Sequence, residues 1–130
     1  MRVFTSLLAL TFLFLFSGSV FGQEEVKKKY WGSGMLQSET HYKNGIKEGL
    51  ETYWFMSGKK NRETNFKNGK KEGLDTTWYE SGKKYRETNF KNGKKEGLDT
   101  RWYESGKKTF EGNFVNGVQR GGYSRDMQDE

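Results

Sequence analysis

Two hydrophobic patterns divide the chain. Residues 3–16 are almost wholly apolar, whereas beyond residue 29 large apolar side chains recur at intervals among charges and glycines. In the second region Leu74-Asp-Thr-Thr-Trp-Tyr79 is rich in β-branched and aromatic residues and stops at Glu80-Ser81-Gly82. The stretch 83–90 follows and stops at Lys91-Asn92-Gly93. Short strand-forming runs bounded by Ser-Gly and Asn-Gly predict a hairpin meander. Neither run carries the 3.6-residue apolar period of a helix.

The pattern repeats. NFKNGKKEGL stands at 65–74 and again at 89–98, an offset of 24 residues, with HYKNGIKEGL at 41–50 and NFVNGVQRGG at 113–122. Tyr30, Trp54, Trp78 and Trp102 keep the same step, as do the Ser-Gly pairs. Residues 54–77 and 78–101 agree at 20 of 24 positions, while the outer copies have drifted, as capping repeats do. Four repeats are expected over 30–122, at 30–53, 54–77, 78–101 and 102–125, the last incomplete. The expected fold class is all-β, an elongated antiparallel meander of tandem β-hairpins with a 24-residue period.

Turn type decides which side chains share a face. A three-residue loop Glu80-Ser81-Gly82, with Gly82 left-handed, keeps even positions opposite even ones. Lys91-Asn92-Gly93, read the same way, does likewise. One face then gathers Leu50, Trp54, Phe66, Leu74, Trp78, Phe90, Leu98, Trp102 and Phe114 as the core, joined by Tyr30, Tyr42, Ile46, Phe110 and Val118. The opposite face receives Glu63, Glu87, Glu111, Lys83, Lys107, Tyr79, Tyr85 and Tyr103. Gly49, Gly73 and Gly97 fall inside the strands and are candidate positions for further bulges, which would break this parity locally.

Composition sharpens the picture at the N-terminus. Arg2, the apolar run, and the small residues of 17–22 make residues 1–22 an expected signal peptide, cleaved between Gly22 and Gln23. Residues 23–29 form a short lead and 123–130 a polar tail. The expected location is secreted or periplasmic, at the cell envelope. The chain has no Cys, so neither a disulfide nor a lipidated cysteine contributes. Losing Arg2 with the leader lowers the net charge by one from the +6 of the whole chain.

WYESGKKYRETNFKNGKKEGL at 78–98 resembles the bacterial variant of the MORN repeat, aromatic-aromatic-x-(S/N)-G-K followed by E-x-x-(F/Y)-x-N-G-K-x-x-G. The resemblance runs over about residues 30–122, with fewer glycines than the eukaryotic pattern. It implies an elongated sheet of successive hairpins that binds proteins or membranes. Many bacterial members are assigned as antitoxins of toxin–antitoxin systems. For an exported chain, an immunity-like role is the form of that function the resemblance implies.

Catalysis is not expected. His41 is the only histidine and takes the place held by Asn65, Asn89 and Asn113 in the other copies. Glu39, Glu63, Glu87 and Glu111 form a ladder of salt-bridge partners rather than a close acid pair. No metal-ligand spacing or phosphate loop stands out, so no cofactor is expected. Binding is the alternative to catalysis. Lys doublets at 59–60, 70–71, 83–84, 94–95 and 107–108 repeat along the ribbon. The candidate surface comprises Lys59, Lys83, Lys84, Lys107, Tyr79, Tyr85 and Tyr103. A protein is the expected partner, with a cell-wall glycan or anionic membrane surface as the alternative through the aromatic and lysine ladders. Nucleic acid is not expected for an exported protein.

Overall fold

The computed structural model describes residues 22–124. Residues 1–21 of the expected leader and 125–130 of the expected tail lie outside them. The described chain is one open sheet of nine antiparallel strands in sequential order. They are β1 (Glu24–Tyr30), β2 (Leu36–Lys43), β3 (Ile46–Trp54), β4 (Lys60–Lys67), β5 (Lys70–Trp78), β6 (Lys84–Lys91), β7 (Lys94–Trp102), β8 (Lys108–Val115) and β9 (Val118–Ser124). At about 4.8 Å between strands the ribbon spans about 40 Å.

The two turn dipeptides close the hairpins differently. At the Ser-Gly end Gly82 donates its N–H to Tyr79 O at 2.9 Å, and Tyr79 N–H bonds Lys83 O at 2.9 Å. Gly82 has φ +88°, so this is the expected three-residue loop with a left-handed glycine. The Asn-Gly end departs from expectation. Lys91 pairs directly with Lys94, which leaves only Asn92 and Gly93 in the loop. Both have positive φ, 48° and 80°, the signature of a type I′ turn.

A second departure follows the Ser-Gly loop. Trp78 opposes Lys84, but Thr77 opposes Arg86, so Tyr85 is an extra residue. Asn61 and Thr109 are extra in the same way. The two-residue turn and this bulge each shift the pairing by an odd number. Together they restore the 24-residue period but split the expected core. Phe66, Phe90 and Phe114 lie on one face, opposite Gly49, Gly73 and Gly97. Leu50, Leu74 and Leu98, with Trp54, Trp78 and Trp102, lie on the other. The leucines stand 38, 51 and 55 % exposed. The expectation of a single apolar core face is thereby corrected.

The glycines inside the strands do mark bulges. Gly73 has φ +78°, and between Thr64–Asp75 and Phe66–Lys71 two extra residues enter β5. That kink turns Lys71 O toward the next turn, where it accepts from Gly93 N–H at 2.9 Å, while the Glu72 carboxylate accepts from Asn92 N–H at 2.8 Å. Each Asn-Gly turn is hooked onto the repeat before it, and Glu48 and Glu96 do the same for Asn68 and Asn116.

The centre of the sheet is polar. Phe114 is the one large apolar side chain counted as buried among the described residues. Thr40, Glu51, Thr64, Asp75, Thr88 and Asp99 form a buried row on the phenylalanine face, and Thr52, Thr76 and Thr100 are buried on the tryptophan face. Long side chains from the flanking rows cover them with their aliphatic stems.

Candidate functional site

The phenylalanine face carries three buried carboxylates, one on each of β3, β5 and β7. Arg86 grips Asp99 with two hydrogen bonds, Nε to Oδ1 at 2.8 Å and Nη2 to Oδ2 at 2.6 Å. Lys95 adds a bond at 2.6 Å and Thr88 one at 3.0 Å. Burial pushes the Asp99 carboxyl up, but these donors outweigh it and hold it down at about 2. Asp75 is held by Arg62 (2.9 and 2.5 Å) and Lys71 (2.6 Å). Burial opposes ionisation there too, and the two cations again win, so its pKa is lowered. Glu51 has Lys47 at 2.6 Å and Thr40 at 3.1 Å.

The same lysines serve a second contact. Lys47, Lys71 and Lys95 lie 4.7, 4.8 and 4.5 Å from the ring centroids of Phe66, Phe90 and Phe114. Each ammonium is held between a carboxylate and an aromatic face, which fixes a side chain that would otherwise sample many rotamers. A shallow concavity of about 220 Å³ opens here between Arg62, Tyr85, Arg86 and Phe90. That is below the range typical of small-molecule pockets, and the surface suits a macromolecular contact better than an enclosed ligand.

The tryptophan face is built differently. Lys60 pairs with Glu63 at 2.5 Å, Lys84 with Glu87 at 2.6 Å, and Lys108 with Glu111. Every expected Lys doublet therefore divides into a paired member (Lys60, Lys71, Lys84, Lys95, Lys108) and an exposed one (Lys59, Lys70, Lys83, Lys94, Lys107) with no carboxylate within salt-bridge distance among the described residues.

The candidate surface residues consequently do not form one patch. Lys59, Lys83 and Lys107 are exposed beside the Ser-Gly loops, whereas Lys84 is engaged by Glu87 on the tryptophan face. Tyr79 is half-buried, donates its hydroxyl to Trp102 O at 2.8 Å, and meets Tyr85 edge-on at 5.2 Å. Tyr103 is half-buried at the corresponding place. Tyr85 lines the concavity of the phenylalanine face. The arginines at 62, 86 and 101 were not singled out by sequence. The signal was a spacing of 13, Arg62 to Asp75 and Arg86 to Asp99, which acquires meaning only with the register known.

His41 Nε2 lies 3.1 Å from Glu39 Oε1, and Lys28 reaches the same carboxylate at 3.1 Å, so this glutamate has two partners. Among the described residues no group of three or more His, Cys, Asp or Glu is placed to hold a metal.

Fold and surface define a hairpin-repeat protein. Residues 26–44, 71–92 and 95–116 match the MORN repeat variant, so the chain carries three repeats of that family. No curated protein and no solved structure matches the chain. Repeats of this family are non-catalytic modules that bind proteins or membrane lipids, and a binding scaffold is the general function that follows.

Proposed function

We propose that the protein is an exported scaffold that grips another protein, in the manner of an antitoxin or immunity partner held outside the cytoplasm. The observation that carries this reading is the single-layer sheet, which has no second layer on either face among the described residues. A nine-stranded ribbon of this kind offers two repeating surfaces and no enclosed active site. Export rests on residues 1–22, and the mature chain then begins at Gln23.

The test is co-purification of tagged full-length protein from the envelope fraction of its native host, with chemical cross-linking and intact-mass measurement of the bait. A stoichiometric partner cross-linked to the sheet, on a bait starting at Gln23, supports the scaffold. A monomeric bait without a partner would overturn the protein-binding reading. A bait retaining Met1 would overturn export by cleavage.

A second reading is favoured by the alternation Trp54, Lys60, Trp78, Lys84, Trp102, Lys108 along one face. Aromatic and cationic side chains in one row suit a wall glycan or an anionic lipid surface. Sedimentation with wall glycan or anionic vesicles, weakening as salt is added, supports that alternative.

A further inference from the structure

The two faces differ in how their charges balance. On the tryptophan face the central ladder is matched one to one, Lys60, Lys84 and Lys108 against Glu63, Glu87 and Glu111. On the phenylalanine face the count of cations per carboxylate rises along the ribbon. Glu51 has Lys47 alone, and Asp75 has Arg62 and Lys71. Asp99 has Arg86 and Lys95 in contact, and Arg101 Nη2 lies 3.9 Å from its Oδ2.

Arg101 is the clearest sign of surplus. It stands directly opposite Arg86 across β6 and β7, an arrangement of like charges that costs stability unless something else uses it. Asp99 is already saturated by other donors, and the Arg101 Nε is buried with no hydrogen-bond partner in the described structure. Its guanidinium stacks on Phe110, 4.9 Å from the ring centroid, which holds the planar fork in place. The side chains of Arg62, Arg86 and Arg101 remain 39, 31 and 40 % accessible, so an incoming group reaches them.

We propose that the strip formed by Arg62, Arg86 and Arg101 on the phenylalanine face is the docking surface for an extended acidic polypeptide segment, whose carboxylates approach the solvent-accessible ends of the guanidinium groups. This deepens the scaffold reading and rests on it, since it names the face and the partner's chemistry. A carboxylate fits the planar fork in bidentate geometry, and Tyr85 and Phe90 beside it supply apolar contact for a peptide backbone. The strip is set within the face, whereas a flat membrane would first meet the exposed lysines of the turns. Arg62 and Arg86 are one repeat apart, two strand spacings or about 9.6 Å. Three residues of a polyproline II segment rise about 9.3 Å and return to the same side of the chain. The segment that matches therefore carries acidic residues three positions apart for Arg62 and Arg86, and Arg101, one strand spacing or about 4.8 Å from Arg86, shares the second of them.

The experiment titrates isotope-labelled mature protein with two synthetic peptides of equal length and charge, one with Glu at every third position and one with its Glu residues consecutive. Amide shifts should concentrate on β4–β7, and the spaced peptide should bind more tightly. Arg101→Gln should weaken it about threefold, the loss of one solvent-exposed ion pair, while Arg101→Lys recovers part of the affinity. Lys28→Gln, on the opposite face of β1, should leave affinity unchanged. Circular dichroism melts of each variant separate lost binding from lost fold. Shifts confined to the turn lysines, equal affinity for both peptides, or an Arg101→Gln variant that binds normally would overturn the proposal. So would inorganic polyphosphate or phosphatidylglycerol vesicles competing as well as the spaced peptide. A cross-linked native partner seated elsewhere would overturn this strip and leave the scaffold standing. Spaced-peptide binding without any native partner would do the reverse.

Discussion

Arg86 and Asp99 are joined across β6 and β7 by two parallel hydrogen bonds of 2.8 and 2.6 Å, and the Asp99 side chain is fully shielded from solvent. This pair ties the two strands of one repeat together at the centre of a sheet that buries little apolar surface. Removing the carboxylate leaves Arg86, Lys95 and Arg101 crowded without a counter-charge. Asp99→Ala should therefore cost about 3–5 kcal/mol, as expected for breaking a buried pair from one side. Glu87→Gln, which breaks the more exposed pair with Lys84, should cost less than about 1 kcal/mol. Urea denaturation of the two variants measures the difference, and equal losses would mean that the buried row is not the anchor of the array.

Acid sensitivity follows from the same carboxylate. Asp99 is held at about 2 in the folded chain against an ordinary value of 3.8. The unfolded state therefore takes up its proton first as pH falls. The stabilisation, on the order of 2 kcal/mol, is complete above about pH 5 and is lost as pH drops through 3.8 toward 2. Asp75 shifts in the same direction and adds to the slope. Urea midpoints between pH 6 and pH 2 should fall steeply for the parent chain and less steeply for Asp99→Asn. Parallel profiles would remove Asp99 from the account.

Much of this architecture is legible in the sequence. The 24-residue period, the all-β class and the left-handed glycine of the Ser-Gly loop all follow from residues that repeat without change, such as Ser81-Gly82. The faces were not legible, because two odd shifts were hidden. One is the two-residue Asn92-Gly93 turn, where Asn tolerates the left-handed region as glycine does. The other is a single extra residue after the Ser-Gly loop, filled by Asn61, Tyr85 and Thr109, three side chains with nothing in common. Gly73 announced its bulge by being glycine, but Tyr85 could not. The arginine–aspartate ladder was hidden with the faces, since Asp75 and Asp99 read as strand openings until the register set them opposite Thr64 and Thr88.

Gly73 should resist substitution for a reason of conformation rather than space. A Cβ built there meets nothing within 4 Å, yet its φ is +78°. An alanine in the left-handed region costs about 1–2 kcal/mol, and here it would also disturb the hook between Glu72 and the next turn. Gly121 likewise has open space, but without a positive φ, so Gly121→Ala should stay within about 0.5 kcal/mol of the parent. Thermal melts of both single variants make the comparison. A Gly73→Ala chain as stable as the parent would mean that β5 re-forms without its bulge.

The register itself is open to a double-mutant test. Trp78 and Phe90 lie on opposite faces of β5 and β6, whereas Lys71 and Phe90 share a face, with the ammonium 4.8 Å from the ring centroid. Energies of residues that share no partners add, within about 0.3–0.5 kcal/mol. Trp78→Ala combined with Phe90→Ala should therefore lose close to the sum of the two single losses. Lys71→Met combined with Phe90→Ala should lose less than the sum, because the first change already forfeits a cation–aromatic contact of about 0.5–1 kcal/mol. Lys71→Met also takes one of two cations from Asp75, so its single loss will be larger, but the cycle cancels that term. Chemical denaturation of the five variants and the parent yields both coupling energies. Strong coupling between Trp78 and Phe90, with none between Lys71 and Phe90, would return both aromatics to one face and overturn the bulge at Tyr85.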